Sequence, residues 1–211
     1  MKKILWFTVL LFLFTGMTFA GQQWQVDKAH SSVEFTVDHV VTLQPVTDGK
    51  ELMTVGITRG KFTDFDFTFT SGDADFSNSR VEAKIRVESI DTGHETRDHY
   101  LKSEEFFDPQ RYPWITFKST AFEKVGENRY KIRGDLTIKG ITRPVELQAT
   151  LNGNTVNEAG QKYVSFTATG TINRFDYGLH WSDLLEKGAF RISSYVNLII
   201  QANLIEANQG S

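Results

Sequence analysis

Few residues in this chain sit where spacing alone could recruit them for chemistry, and the most suggestive stand at the ends of alternating apolar runs. Val33, Phe35 and Val37 lead on the same parity to His39. Val81, Ala83, Ile85 and Val87 lead to Ser89, and Phe166, Ala168, Gly170 and Ile172 lead to Arg174. Arg97, Asp98 and His99 follow Ser89 in a charged helical pattern. An arginine offers a planar fork of donors suited to phosphate, and a histidine can donate as well. Set beside an apolar lining, such groups suit the polar head of an amphiphile.

Other chemistries find less support. Asp91-Thr92-Gly93 has the form of an aspartic-protease triplet, but that reaction needs two carboxylates sharing a proton and there is a single copy. It reads as a strand-to-helix turn capped by Asp91 or Thr92. The histidines, His30, His39, His94, His99 and His180, show no metal-binding spacing. His94 and His99 would point to different faces of a helix, so no metal site is expected. No Gly-x-Ser-x-Gly elbow, phosphate-cradling glycine loop or dinucleotide fingerprint occurs, and no catalytic residue is expected. With 0 Cys among 211 residues, disulfides, thiol catalysis and a lipid anchor on cysteine are excluded.

The elements that must position these residues are mostly strands. Alternation recurs at Phe65, Phe67 and Phe69, at Ile115 and Phe117, from Tyr130 to Ile138, from Val145 to Leu151, from Val164 to Ile172 and from Val196 to Leu204. Turn signals such as Ser71-Gly72-Asp73, Gly126-Glu127-Asn128 and Asn152-Gly153-Asn154 separate them. With the runs at Val33 and Val81, this predicts an all-β fold, an extended eight-stranded antiparallel barrel, since closure removes sheet edges. A barrel of that size is filled by side chains or holds one slim ligand. The 17 Phe either pack against one another or line such a lumen. The expected lining is Phe35, Val37, Phe65, Phe67, Ile85, Phe117, Ile138, Phe166 and Leu198. In an up-and-down barrel the odd strands end at one rim, which gathers His39, Arg97, His99 and Arg174 into a polar mouth. That count assumes that Thr42 to Gly60 does not reverse it; Leu52 to Ile57 is either an added strand or a mouth loop. One helix is expected from near Gly93 to Phe107, stopped by Asp108-Pro109 and lying at the barrel mouth.

The first residues read as a signal peptide: Lys2 and Lys3, an apolar run from Ile4 to Phe14 broken by Thr8, then Thr18-Phe19-Ala20. The run falls short of the about 20 residues of a membrane span. Cleavage after Ala20 is expected to leave residues 21–211 as one exported, periplasmic or secreted domain. The formal charge of −3 becomes more negative once Lys2 and Lys3 are lost, and no basic block is present, so nucleic acid is not an expected partner.

Three stretches carry a family likeness: SIDTGHETRDHYLKSEEFFDPQRYPWITFKST (Ser89 to Thr120), GDLTIKGITRPVEL (Gly134 to Leu147) and GTINRFDYG (Gly170 to Gly178). In that order and at these separations the chain resembles the YceI-like, polyisoprenoid-binding family, from about Trp24 to Glu206. The resemblance implies a lipocalin-like barrel with a helix beside it, and a non-covalent isoprenoid-type lipid as ligand, with no other cofactor. Its implied partner is a long-chain amphiphile, of quinone or polyprenyl phosphate type, held for transport or storage. Transient contact with a membrane or membrane protein, and a homodimer, remain open. Trp114 after Tyr-Pro, and Leu179-His180-Trp181 after Tyr-Gly, add bulk relative to the family, with consequences for which tail fits. The alternatives are an envelope stress or interaction module without obligate lipid, and a hydrolase acting on envelope lipids or glycans.

Overall fold

The computed structural model describes residues 21–42, 52–180 and 190–207. The expected signal peptide, and Trp181, lie outside them. The strands are β1 (Gln22–Val26), β2 (Ser32–Thr42), β3 (Leu52–Phe62), β4 (Phe65–Ser71), β5 (Arg80–Arg86), β6 (Ile90–Asp91), β7 (Trp114–Gly126), β8 (Arg129–Ile138), β9 (Ile141–Val156), β10 (Lys162–Asn173) and β11 (Phe190–Glu206). All described pairings are antiparallel. Three staves of the barrel are each made of two strands in line. β1 pairs with β4 and with the end of β11, while β2 pairs with β3 and with the earlier part of β11. β5 pairs with β4, and β6 with β3. The pairs β1/β2, β3/β4 and β5/β6, followed by β7 to β11, form a closed antiparallel barrel of eight staves.

Leu52 to Ile57 therefore belongs to a strand, but one that continues into β4 through the jog at Thr63-Asp64. It lengthens an existing stave and leaves the direction of the later ones unchanged. The rim where β2, β6 and β10 end is one rim, here the mouth. The opposite rim carries the β4–β5, β7–β8 and β9–β10 connections.

Inward parity is apolar along most staves. In β8 the buried residues are Tyr130, Ile132, Gly134, Leu136 and Ile138; in β10 they are Val164, Phe166, Ala168 and Ile172. The outer wall is polar and carries cross-strand ion pairs such as Lys118–Glu82 at 2.9 Å and Arg133–Glu123 at 2.8 Å. At such exposure these add little stability, but they keep the outer face wettable.

The helix is shorter than its sequence pattern predicts. α1 spans Glu95–Leu101, with His94 at its N-cap. His94 Nδ1 accepts from the Arg97 N–H at 3.3 Å, so neither Asp91 nor Thr92 caps it. Asp91 instead accepts from Gly93 N–H at 2.8 Å, holding the turn in which Gly93 takes φ +70. After Leu101 the chain changes to turns: Phe107 N–H bonds back to Leu101 C=O and Asp108 N–H to Ser103 C=O. Phe106 and Phe107 are buried from this turn segment, not from the helix.

Candidate functional site

Inside the barrel is an apolar cavity of about 630 Å3, within the roughly 300–1,000 Å3 range of small-molecule sites. Of the residues that parity assigns to a lumen, Phe35, Val37, Phe67, Ile85, Phe117, Ile138, Phe166 and Leu198 are in its wall. Phe65 is not. It is buried, with its ring stacked on Phe67 at 5.2 Å between centroids. The wall also includes Phe62, Leu101, Phe106 and Phe107, which close the helix side. Phe62 packs against Phe35 at 5.8 Å and Phe107 at 6.4 Å.

Apart from Glu34, which borders the cavity from the start of β2, the polar groups of the wall gather at the mouth. His39 Nε2 lies 2.8 Å from Thr58 Oγ1 of the neighbouring strand, and His39 is in register with Ile192 of β11. Arg174 closes on the same segment. It is 3% exposed, and its guanidinium donates to Ser193 C=O at 3.0 Å, Leu179 C=O at 2.7 Å and Ile192 C=O at 3.2 Å. Its plane also lies 4.5 Å from the Phe175 ring centroid. Arg97, on α1, donates from Nε to Thr92 Oγ1 at 2.7 Å and from Nη2 to Thr92 C=O at 2.9 Å. Thr92 in turn gives its N–H and hydroxyl to Asp98.

His39, Arg97 and Arg174 all border the cavity, whereas His99 is exposed on the helix and is not in the wall. The parity argument is silent about a helix, whose period differs, and this is why it misplaces His99. His94, Thr58, Thr92 and Thr96 do line the mouth and were not anticipated. The signal for Thr58 was present: Gly56, Thr58 and Gly60 share the inward parity of β3, but none of them is apolar.

Bulk at Trp114 has no bearing on the tail. Trp114 lies outside the wall, with Lys84 Nζ 4.1 Å from its ring centroid and Arg86 at 5.2 Å. Leu179 does line the cavity, while His180 is exposed and stacks on Phe175 at 4.8 Å. Among the described residues, no group of three or more His, Asp or Glu could hold a metal ion.

A closed up-and-down barrel with one apolar cavity and a polar mouth is lipocalin-like architecture. Residues 24–204 match the YceI-like domain, and the chain belongs to that family. Protein YceI of Salmonella newport is 33% identical over 180 residues, 84% of this chain and 87% of that protein. BcnA of Burkholderia cenocepacia shares the fold at TM-score 0.65 and 23% identity, over 86% of this chain and 99% of that one. A polyisoprenoid binding domain from Saccharophagus degradans, implicated in plant cell wall breakdown, superposes at TM-score 0.58 with 15% identity, over 87% of this chain and 98% of its own.

Proposed function

We propose that this protein is an exported carrier or store for a long-chain amphiphile of the polyisoprenoid type, a quinone or polyprenyl phosphate. The observation that carries the reading is the cavity's polarity: walls apolar along its length apart from Glu34, which is exposed on β2, with His39, His94, Arg97, Arg174 and three threonines gathered at one end. A tail pays no hydrogen-bond penalty along such a wall, and gains about 25 cal/mol for each Å2 of apolar surface removed from water. Association and ordering take back part of that gain. The head group would meet donors at the mouth. Membership of the YceI-like family, and the polyisoprenoid-binding description of a structural neighbour, support the same ligand class.

Binding is favoured over catalysis because, among the described residues, the wall offers a single carboxylate, Glu34, and its one hydroxyl held by an imidazole, Thr58 by His39, has no carboxylate orienting that histidine. The leader-like residues Lys2 to Ala20 support a periplasmic or secreted location, and the mature protein would begin at Gly21.

The deciding experiment is organic extraction of protein purified from its native host, followed by mass spectrometry. A stoichiometric isoprenoid lipid is expected. A lipid-free protein would defeat the carrier reading and favour an interaction module. Consumption of an added envelope lipid or glycan, in place of its retention, would favour a hydrolase.

A further inference from the structure

At the end of the cavity away from the mouth, aromatic side chains form a floor of two layers. Phe69, Phe122 and Phe166 form the upper one, with ring centroids 5.8 Å, 5.8 Å and 6.1 Å apart, and all three face the cavity. Trp24, Phe76 and Tyr130 lie behind them, buried but not in the cavity wall. Phe76 supports two of the floor rings, at 5.6 Å from Phe166 and 6.3 Å from Phe69. Tyr130 supports Phe122 at 5.3 Å and Phe166 at 5.7 Å.

Phe76 is not a strand residue. It comes from the connection between β4 and β5, which folds back into the end of the barrel, and its backbone sits at φ +63. A bulky side chain takes that conformation only against strain, and strain of this kind persists where surrounding structure imposes it. The imposing contacts are visible. Ser79 Oγ donates to Phe76 C=O at 2.7 Å, Tyr130 Oη to Asp75 C=O at 2.7 Å, and Lys124 Nζ to Asp75 at 3.0 Å. A tight hairpin would join the two strands with fewer residues. This connection instead places an aromatic ring under the floor.

We infer that Phe76 sets the length of tail the cavity accepts, by bracing Phe69 and Phe166 from beneath so that the end of a tail stops against them. The inference rests on the reading that the cavity holds an amphiphile's tail, and adds the residue that decides which one. The ligand class it specifies has a single tail whose terminus lies inside the protein. A chain long enough to emerge at the far rim is excluded.

The test uses Phe76→Gly in the mature protein. Glycine takes the positive φ without strain, so the variant removes the ring while relieving the backbone. Binding of all-trans prenyl alcohols of increasing length, and in parallel of saturated alcohols, is measured by displacement of a fluorescent apolar probe. In the parent, affinity should rise with each added unit and then stop rising. In Phe76→Gly the break should come at least one isoprene unit later, with a gain of about tenfold or more for the first tail beyond the parent's limit. Phe166→Leu, which shortens a floor ring directly, should shift the break in the same direction and serves if Phe76→Gly fails to fold. A folded variant with the parent's length profile overturns the inference, as does a parent with no break in either series. A break that moves for saturated alcohols, when prenyl alcohols are not retained, keeps the floor's role and defeats the isoprenoid reading alone.

Discussion

Replacing Arg174 by Leu separates two roles that the sequence alone merges. As a head-group ligand, Arg174 would contribute to a polyprenyl phosphate and not to an uncharged prenol, and its loss would weaken only the phosphate, by about tenfold or more. The structure assigns its guanidinium to the carbonyls of Leu179, Ile192 and Ser193, which belong to the two chain segments flanking the mouth. Each hydrogen bond to a charged donor is worth about 1.5–3 kcal/mol. Three on one group are not additive, and the part-buried carbonyls of Ile192 and Ser193 can turn to water, so a net cost of about 3 kcal/mol is expected. With a urea slope of about 2 kcal/mol per M, the unfolding midpoint should fall by about 1.5 M. Both ligands should weaken in parallel. Arg174→Lys keeps the charge but not the fork, and a single ammonium cannot span three carbonyls, so it should recover only part of the loss. Urea denaturation of the lipid-free protein, followed by paired titrations with the phosphate and the prenol, makes the comparison. An unchanged midpoint with a phosphate-selective loss would refute the reasoning.

Phe166→Asp puts an unpaired charge into the cavity floor at a cost of several kcal/mol, and should abolish lipid retention or folding, as read by thermal melting and extraction. Gly60→Ala places a methyl group against the Phe35 ring, which can swing into the cavity, so the fold should survive with reduced ligand capacity. Gly134→Ala meets the backbone oxygen of Lys118 at 2.6 Å, which cannot swing, and should destabilise the barrel in a denaturant melt. Tyr177 is 1% exposed and its hydroxyl has no hydrogen-bond partner among the described residues. Tyr177→Phe should therefore stabilise by about 1 kcal/mol, raising Tm by about 2–4 °C. Burial, then the Asp176 charge, pushes the Tyr177 phenol up from 10.0 to about 12. Its neutral form is favoured in the fold, so that contribution is intact below pH 10 and lost as pH rises toward about 12; the Phe variant should lack this alkaline limb. Asp75 is held at about 2, first by Ser77 and then by Lys124. Its contribution is present above pH 3.8 and lost as pH falls toward about 2, so acid melts of Asp75→Asn should be flatter across that window.

What could be read from the sequence follows from how each face meets its surroundings. Where a strand has cavity on one side and water on the other, as in β8 and β10, period-2 apolarity marks it. β3 defeats that signal because its inward residues are Gly56, Thr58 and Gly60, while the apolar Val55 and Ile57 face out, at 45% and 47% exposure. β1 defeats it by being short, with Trp24 its only fully buried residue. The sequence pattern overextends the helix because Phe106 and Phe107 continue its apolar stripe, although Lys102 already ends it. Parity finds Arg174 but not its role, because its hydrogen-bond partners among the described residues include three backbone carbonyls, and any residue supplies those.

The abundance of Phe and the presence of a cavity would conflict in a barrel this narrow if every ring pointed at the axis. The structure avoids this by pairing rings with inward glycines. Phe35 lies over Gly60 and Phe117 over Gly134, at distances that leave no room for a Cβ, and Leu147 covers Gly170 in the same way. Each ring takes space where the facing residue has no side chain, so the tube stays open while its lining stays aromatic and stiff. At the closed end the arrangement reverses. Phe69, Phe122 and Phe166 meet ring against ring over Trp24, Phe76 and Tyr130, with no glycine among them, and the tube ends there. The same residue type therefore builds both the open part of the cavity and its stop, and the residue facing each ring decides which. It follows that the cavity's depth and its width are set by separate positions, so substitutions at Phe76 should change tail length and those at Gly60 tail bulk.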